Sequence, residues 1–506
     1  MRRPKTPGVF IKEVETFPAG VVPAATAVPA FIGYTQRAGR GAKDLTGVPT
    51  RLSSLAEFHE LFGAGPTTRF TIDGRGTPEV VNRTRFLLYA GMRMFFANGG
   101  GTCYVTSVGT YEDEKSAEAL RKPLAALERE QAPDLLVVPD AVLLGRVDGR
   151  RQGDPAAWAA VSQAALLHCE KVRRRFAIVD VYDGATARTH DPDDDVISGR
   201  ARGFRGLIDA ALAWGAVYYP WLHTTVHAGD EVSWANIAPA SRDALVEHLA
   251  AAFRNGDESQ PMSDAVSELL AQARRAMDHE GEDAGAGTRA RTHAALMAIS
   301  GTYRGLMEDI RAQLNLLPPS AAMAGVYARV DGTRGVFQAP ANVTIAGVVA
   351  PAVAISHEEQ DDLNAPPDGK AVNAIRTFTG LGVLVWGART LDGNSPEGRY
   401  IQIRRTMIML EQSIRLALSA YGSEANVART WVAVRAAIVN FLTLLWREGG
   451  LAGASPQDAF SVDVGLGSTM TVDDVRDGRM RVVVAVALVR PAEFMVMRFE
   501  QTLQTP

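Results

Sequence analysis

The clearest pattern of apolar positions lies near the carboxy terminus. Over residues 425–447 the apolar side chains recur at steps of three and four, which places them on one helical stripe. The stripe consists of Val427, Trp431, Val434, Ile438, Phe441 and Leu445. A preceding amphipathic helix is predicted at 399–420, with Ile403, Met407, Leu410, Ile414 and Leu418 on one face and Arg404 and Arg405 on its polar side. This region therefore predicts two long packed helices.

From residue 101 to 222, short apolar runs alternate with helical stretches. The strand-like runs are 103–108, 134–139, 175–181 and 215–222, and the helical candidates are 116–130, 155–174 and 200–213. Strands separated by helices of this length imply βαβ crossovers and a mainly parallel sheet covered on both faces. The segment therefore predicts an α/β domain.

The remaining stretches give separate predictions. Helices are predicted at 52–62, between Ser53 or Ser54 and Gly63, and at 83–98. Residues 241–316 are mostly helical, with a charged glycine-rich loop at 280–287, and 356–371 form a polar link. The valine-rich run 479–489 is apolar at successive positions, which is typical of a central strand.

Both ends of the chain carry strand material that cannot close a core alone. Five prolines in residues 1–30 favour extended backbone, and the apolar residues there are Val9, Phe10, Ile11 and Val14. The last residues contain Phe494, Val496 and Phe499 after Pro491. Each end is predicted to be an arm that pairs with a partner.

Composition limits the function classes. A length of 506 residues predicts two or three domains, and 53 basic against 57 acidic residues give a net charge of -4, which disfavours nucleic-acid binding. Two cysteines exclude a disulfide framework. No signal peptide and no run of about 18 apolar residues is visible, so we expect cytoplasmic synthesis and no membrane span. Residues 371–450 hold nine arginines against five acids. This excess fits either an acidic partner surface or an ordinary solvated helix face.

Motifs for chemistry are incomplete. There is no phosphate-binding loop, His357-Glu358 lacks a second histidine, and the acidic run 190–195 departs from a calcium loop. The α/β segment raises the question of an enzyme because Asp140, Asp180 and Asp183 follow strands, with His168 and His223 nearby in sequence. No nucleophile elbow accompanies them. We therefore expect no catalytic site, no cofactor and no metal.

A series of short motifs occurs in one order along the chain. They are Thr6-Pro-Gly-Val9, Pro29-Ala-Phe-Ile-Gly-Tyr-Thr35, Asn98-Gly-Gly-Gly101, Val385-Trp-Gly-Ala-Arg-Thr390, Arg399-Tyr400 with Arg404-Arg405, Asn440-Phe-Leu-Thr-Leu-Leu-Trp446, Leu451-Ala-Gly453 and Arg490-Pro-Ala-Glu-Phe494. In this order they resemble the sheath subunit of contractile tails. That family includes the sheaths of contractile bacteriophages, R-type pyocins and phage-like injection particles.

The resemblance implies an α/β and α+β multidomain chain with a discontinuous core domain built from both ends. An outward-facing α/β domain, subtilisin-like in fold and non-catalytic, would be inserted between them. The implied segments are an amino-terminal arm 1–22, a first core segment 23–97, the inserted domain 98–350 with a variable insertion at 254–291, a linker 351–370, a second, tube-facing core segment 371–490 and a carboxy-terminal strand arm 491–506.

The implied function is that of a structural subunit, not an enzyme. It would form stacked hexameric rings in a helical sheath around an inner tube, with baseplate and cap proteins as further partners, and contract to drive the tube through an envelope. Arg404, Arg405, Arg415, Arg429 and Arg435 would face the tube. Assembly would be cytoplasmic, with release by lysis or retention in the cell. Two alternatives stay open, an α/β hydrolase-like enzyme and a non-contractile baseplate or tail component.

Overall fold

The computed structural model describes residues 20–490, except for 74, 147, 149–152, 255–261, 279–285 and 422–423. The arm residues Val9, Phe10, Ile11, Val14, Phe494, Val496 and Phe499 lie outside the described residues. The chain divides into two compact units. We call residues 25–405 the sheet unit, and residues 1–24 with 406–506 the terminal unit, of which 20–24, 406–421 and 424–490 are described.

The sheet unit contains sixteen strands within the described residues. They are β1 Pro29–Thr35, β2 Gly39–Arg40, β3 Lys43–Asp44, β4 Thr50–Leu52, β5 Phe70–Ile72, β6 Pro78–Val80, β7 Cys103–Thr110, β8 Leu135–Val137, β9 Phe176–Asp180, β10 Gly215–Tyr219, β11 Leu222–Thr224, β12 Leu316–Leu317, β13 Val343–Thr344, β14 Val348–Pro351, β15 Asn373–Phe378 and β16 Gly382–Trp386.

Its helices alternate with these strands over much of the unit. They are α1 Leu55–Phe62, α2 Leu88–Ala97, α3 Ala117–Arg121, α4 Pro123–Leu127, α5 Ala156–Val172, α6 Phe204–Leu207, α7 Arg242–Phe253, α8 Asp264–Asp278, α9 Ala286–Ile299, α10 Gly301–Leu314, α11 Ser320–Arg334 and α12 His357–Asn364. Helix α13, Ile401–Ser419, runs across the division at residue 405.

The terminal unit is smaller and simpler. Its described elements are the rest of α13, then α14 Ala428–Arg447, α15 Pro456–Ala459, β17 Phe460–Val464, α16 Val472–Arg476 and β18 Val482–Val486. Strands β17 and β18 pair antiparallel over all five residues of each, and α14 packs against β17.

A nine-stranded sheet organises the sheet unit, in the order β13-β16-β15-β10-β9-β8-β1-β7-β4. The six neighbours from β15 to β7 are parallel, and the outer pairs are antiparallel. Every residue of β1, β9 and β10 is buried, so helices and loops cover both faces of the central strands. The predicted parallel α/β sheet is confirmed.

The predicted domain boundaries need correction. The one sheet takes β1 and β4 from 23–97, β7 to β10 from 98–350, and β15 and β16 from 371–490. Parallel pairing of Tyr218 with Asn373 joins the last two segments directly through the backbone. The boundaries near 97 and 371 therefore fall inside the sheet unit, and the two compact units divide between residues 24 and 25 and between residues 405 and 406. The linker 351–370 also contains α12, which begins with a capping box between Ser356 and Glu359.

Three other element predictions differ from the structure. The helix predicted at 200–213 is only α6 and a short 3-10 turn. The chain folds tightly before α6, where a Cβ at Gly203 would lie 2.4 Å from the backbone nitrogen of Gly199. Helix α2 begins at Leu88 rather than 83, where the Asp140 carboxylate accepts the Leu87 N–H at 2.6 Å. The run 479–489 forms an outer hairpin strand, with Val483 53% exposed, not a central strand.

A second hydrophobic core lies within the sheet unit around helices α7 to α10 and the β5–β6 hairpin. Its buried members include Phe70, Trp234, Leu249, Met277 and Tyr303. Leu270 and Ala273 of α8 and Leu296 of α9 belong to this core, although α8 lies wholly inside the predicted insertion 254–291 and α9 begins inside it. The described residues of that insertion are thus mostly packed helix. The predicted loop 280–287 lies mostly outside the described residues.

Candidate assembly interfaces

Helix α14 buries one apolar face within the terminal unit. Val434, Ile438, Phe441 and Leu445 of the predicted stripe are buried, and the helix packs on β17. The first two stripe positions differ, because Val427 is the exposed N-cap residue and Trp431 is half-buried. The periodicity therefore identified the helix correctly from its second turn onward.

The opposite face of α14 is both basic and apolar, and it is solvent-exposed. We call it the outer face of α14, and it consists of Arg429, Val432, Arg435, Ala436, Leu444 and Arg447. Val432 is 69% exposed and Leu444 is 57% exposed. The helix has three arginines and no acidic residue. Arg435 donates from Nε to the carbonyl oxygen of Val462 at 2.9 Å, which holds its side chain beside β17. Apolar side chains between cations form a surface suited to an acidic partner with apolar patches.

Among the described residues, α14 is also the one helix that is long and apolar enough to cross a membrane by length and composition. The sequence predicted no membrane span because no run of about 18 apolar residues is visible, and α14 meets the broader criterion of mean hydropathy. Only 39% of its most apolar window is buried. Two apolar faces account for this hydropathy: one packs within the unit, and the other is the outer face.

The β17–β18 hairpin leaves both of its outer edges without a further strand among the described residues. Beyond the paired residues, the Ala487 N–H donates to the carbonyl of Ala459 and the Ala452 N–H to that of Ala487, each within 2.8 Å. A two-stranded sheet is marginal by itself, and open edges are templates for strands from another chain. The hairpin can therefore accept additional strands.

Arg405 does not face a partner, which corrects the sequence prediction. Its side chain is 2% exposed, and its two terminal nitrogens contact the Asp331 carboxylate at 2.9 and 2.6 Å. Its guanidinium also lies 4.7 Å from the Tyr327 ring centre. Helical periodicity placed this arginine on a polar face, but that face of α13 is buried. The charge of Arg405 is compensated by Asp331, which is distant in sequence but in direct contact in the fold.

The other predicted arginines fall into two groups. Arg404 is half-buried, with its guanidinium 4.7 Å from the Trp214 ring centre, so it has an internal contact. Arg415 on α13 and Arg429 and Arg435 on α14 are exposed. The structure therefore keeps three of the five as candidates for an external partner. The sequence missed Val432 and Leu444, which the burial pattern places beside the two α14 arginines.

The acidic residues considered for catalysis contact backbone groups and charged or hydroxyl side chains of the sheet unit. Asp140 accepts the N–H groups of Tyr34 and Leu87, and Asp183 pairs with Arg146 and Arg202. Burial raises the pKa of Asp180 to about 7, opposed by hydrogen bonds from the Ser320 N–H and hydroxyl. Both Asp180 and Ser320 are buried, so this contact anchors the start of α11 inside the sheet unit.

The two histidines do not supply the missing base. His168 lies beside Arg175, and burial together with that arginine lowers its pKa to about 4. His223 is exposed on β11. Because a guanidinium can only donate, His168 Nε2 accepts a hydrogen bond from Arg175 at 2.9 Å, and this buried contact occupies its acceptor atom.

The acidic run at 190–195 folds around one of its own carboxylates. Asp195 accepts backbone N–H groups from Thr189, His190, Ile197 and Ser198. Although burial opposes it, these N–H groups hold the pKa of Asp195 below its usual range. Among the described residues, no group of three or more His, Cys, Asp or Glu side chains could hold a metal ion. The run is a loop anchor.

Comparison with known proteins gives two kinds of match. Residues 394–502 match the model of the phage tail sheath C-terminal domain. This range contains residues 394–450 of the arginine-rich stretch 371–450, with helices α13 and α14, and also the β17–β18 hairpin. No curated protein sequence matches the chain.

Solved structures match over nearly the whole chain. The sheath of the extracellular contractile injection system PVC, in its contracted state, is 27% identical with a TM-score of 0.60, covering 99% of each chain. The contracted helical sheath of the anti-feeding prophage is 27% identical with a TM-score of 0.59, covering 99% of this chain and all of that one. A chain of the six-fold symmetrised baseplate of the same prophage is equally identical, at a TM-score of 0.58.

Proposed function

We propose that the chain is a structural subunit of the contractile tail sheath family, which polymerises around an inner tube and contracts to drive that tube through an envelope. The observation that carries this proposal is the likeness to contracted injection-system sheaths over 99% of the chain. Because that likeness includes both units, it supports a sheath role for the chain as a whole, not for one borrowed domain. The same likeness supports a particle of the injection-system type.

Polymerisation would use the open β17–β18 hairpin. The apolar arm residues at 1–22 and 491–506 would add as strands to the hairpin of a neighbouring subunit. Strand addition depends on backbone hydrogen bonds, so it needs few specific side chains and can survive large subunit motions. This role is supported by the exposed Val483 and by the hairpin edges, which carry no further strand among the described residues.

The inner tube would contact the outer face of α14 and Arg415. This face combines cations with exposed valine and leucine, which suits an acidic tube surface with apolar patches. A portion of the sheet unit would form the inserted outward-facing domain, subtilisin-like in fold and without catalysis. Stacked hexameric rings, a baseplate and a terminal cap complete the proposed particle. Assembly would occur in the cytoplasm, followed by release through lysis or by retention.

Electron microscopy of the purified full chain, alone and with its co-expressed tube protein, tests the proposal. We expect hollow helical tubes with six-fold symmetry, and a contracted form wider than the extended one. Rings that never lengthen would favour a non-contractile baseplate component. A compact monomer at every concentration, with or without tube protein, would contradict the sheath function and return attention to an enzyme.

A further inference from the structure

The chain passes between the terminal unit and the sheet unit twice. The first passage is at Ala24–Ala25 and the second at Arg405–Thr406, within α13. If the terminal unit holds neighbouring subunits, as proposed above, any load that reaches the sheet unit through the chain must use these two passages. Their local anchoring therefore affects how the subunit transmits force.

The first passage is anchored in the sheet unit by Asp134. Its carboxylate accepts the N–H of Ala27 at 2.9 Å and that of Val28 at 2.6 Å, and its own N–H donates to the Val28 carbonyl at 3.1 Å. Ala27 has a φ of 54°, in the left-handed region that favours glycine. A strained residue persists where its surroundings fix it, and here the fixing group is the Asp134 carboxylate.

The second passage is anchored by the same carboxylate. The Arg405 guanidinium binds Asp331 through two nitrogens, and one of these lies 3.5 Å from the Asp134 carboxylate. The Asp134 side chain is 12% exposed, and that of Asp331 is 5% exposed. In such surroundings a charge-assisted contact is stronger than the same pair at an open surface. Asp134 therefore contacts both chain passages.

The terminal unit has a corresponding contact on its own side. The Ala24 N–H donates to the Ser413 hydroxyl at 2.8 Å, and that hydroxyl donates to the Met409 carbonyl at 2.6 Å. Ser413 is fully buried on α13. The two passages are thus linked within each unit. In the terminal unit the link is the Ser413 hydroxyl, and in the sheet unit it is the Asp134 carboxylate with Arg405.

We propose that Asp134 and Arg405 form a staple, a pair of positioning residues that couples the two chain passages. Residues 24–28 and the start of α13 would then unfold locally and refold together. The two passages then act as one mechanical connection instead of two independent linkers. The coupling is a property of the folded subunit. Its use in contraction rests on the proposed function.

Hydrogen exchange of the full-length subunit, read by mass spectrometry, tests the staple. In Asp134→Asn we expect the amides of 24–28 and those at the start of α13 to exchange about fivefold faster or more, because a hydrogen bond and an ion-pair contact are weakened. Arg405→Lys keeps the charge but cannot form the two-nitrogen contact, so it should also accelerate exchange in both segments, though less.

Asp140→Asn is the matched control. Asp140 flanks the other end of β8, is buried, and also accepts two backbone N–H groups, those of Tyr34 and Leu87. It should accelerate exchange near those two residues and leave both passages unchanged. If Asp134→Asn accelerates only 24–28, or if the control accelerates both passages equally, the staple is wrong.

The milder Arg405→Lys decides the question if Asp134→Asn fails to fold. Acceleration of both segments supports the staple, and acceleration of the α13 segment alone contradicts it. Electron microscopy of the unmodified chain is read separately. Failure of that chain to polymerise would contradict the sheath function without changing the exchange result, so the two hypotheses fail independently.

Discussion

The two units differ in how completely each satisfies its own backbone and apolar surface. The sheet unit surrounds its central strands, and its two edge strands are only two and three residues long. The terminal unit exposes an apolar and basic helix face and, among its described residues, a hairpin with two open edges. Short edges protect a sheet from pairing with other chains, whereas open edges invite it. The contrast predicts that the sheet unit contributes most of the stability and that the terminal unit makes most of the proposed assembly contacts.

Removal of the amino-terminal arm is expected to have the largest effect, a loss of assembly without a loss of subunit stability. We expect deletion of residues 1–20 to abolish tubes while leaving the melting temperature and circular dichroism spectrum of the subunit unchanged, since the arm would pair only in the polymer. Sedimentation and electron microscopy measure the loss. Lys12→Ser, a polar change in the same arm, should be tolerated because strand addition is made by the backbone. Normal tubes from the deletion would refute strand exchange by this arm.

A core substitution should separate the units by stability. Phe31→Ala removes a fully buried ring from β1 and is expected to lower the free energy of unfolding by about 3–5 kcal/mol. Val483→Ala, at an exposed hairpin position, should change it by only about 0.5 kcal/mol. Urea unfolding of the unassembled subunit compares the two. Equal losses would mean that the hairpin carries as much stability as the sheet.

Changes on the outer face of α14 should affect assembly more than folding. Arg429→Glu with Arg435→Glu is expected to weaken binding of the tube protein about tenfold or more, because two cations become anions in one interface. Arg476→Glu reverses an arginine that is 74% exposed elsewhere in the same unit and serves as the control. Co-sedimentation with the tube protein measures both. Equal binding by all three proteins would show that this face is not tube-facing.

The pH dependence of stability is expected to have opposite signs in the two units. Burial raises the pKa of Asp180 in the sheet unit to about 7, so the folded state binds its proton more tightly than the unfolded chain. Its contribution to stability is full below about pH 4 and falls by on the order of 1 kcal/mol per pH unit until about pH 7. Asp180→Asn should flatten this slope in unfolding titrations. An unchanged slope would show that another group titrates.

Asp474 in the terminal unit supplies the contrast. Hydrogen bonds from Thr471 lower its pKa, so its contribution is present above its unfolded pKa and is lost as the pH falls. Circular dichroism of Asp474→Asn against the unmodified chain in acid measures this. Acid unfolding of the terminal unit at the same pH in both proteins would contradict the assignment.

Elements with strong local signals could be predicted from the amino-acid sequence. Four strands of the central sheet, helices α1, α5 and α14 and the family likeness follow from period, capping residues and motif order. The structure confirms these elements because local patterns record which face of an element is buried. The outer arginines of α14 also follow from helical period, and their contact with a tube stays a prediction.

Which surfaces stay exposed depends on contacts between distant parts of the chain and could not be predicted from local patterns. The sequence predicted Arg405 as a surface cation, but the fold places Asp331 and Asp134 beside it and buries it. The valine run was predicted as a central strand, but residues 482–486 pair with β17 alone among the described strands. The 23–97, 98–350 and 371–490 segments became one sheet through pairings between residues far apart in sequence. Such contacts depend on the whole fold, since a residue's own neighbours in sequence do not reveal which distant charge or strand will cover it.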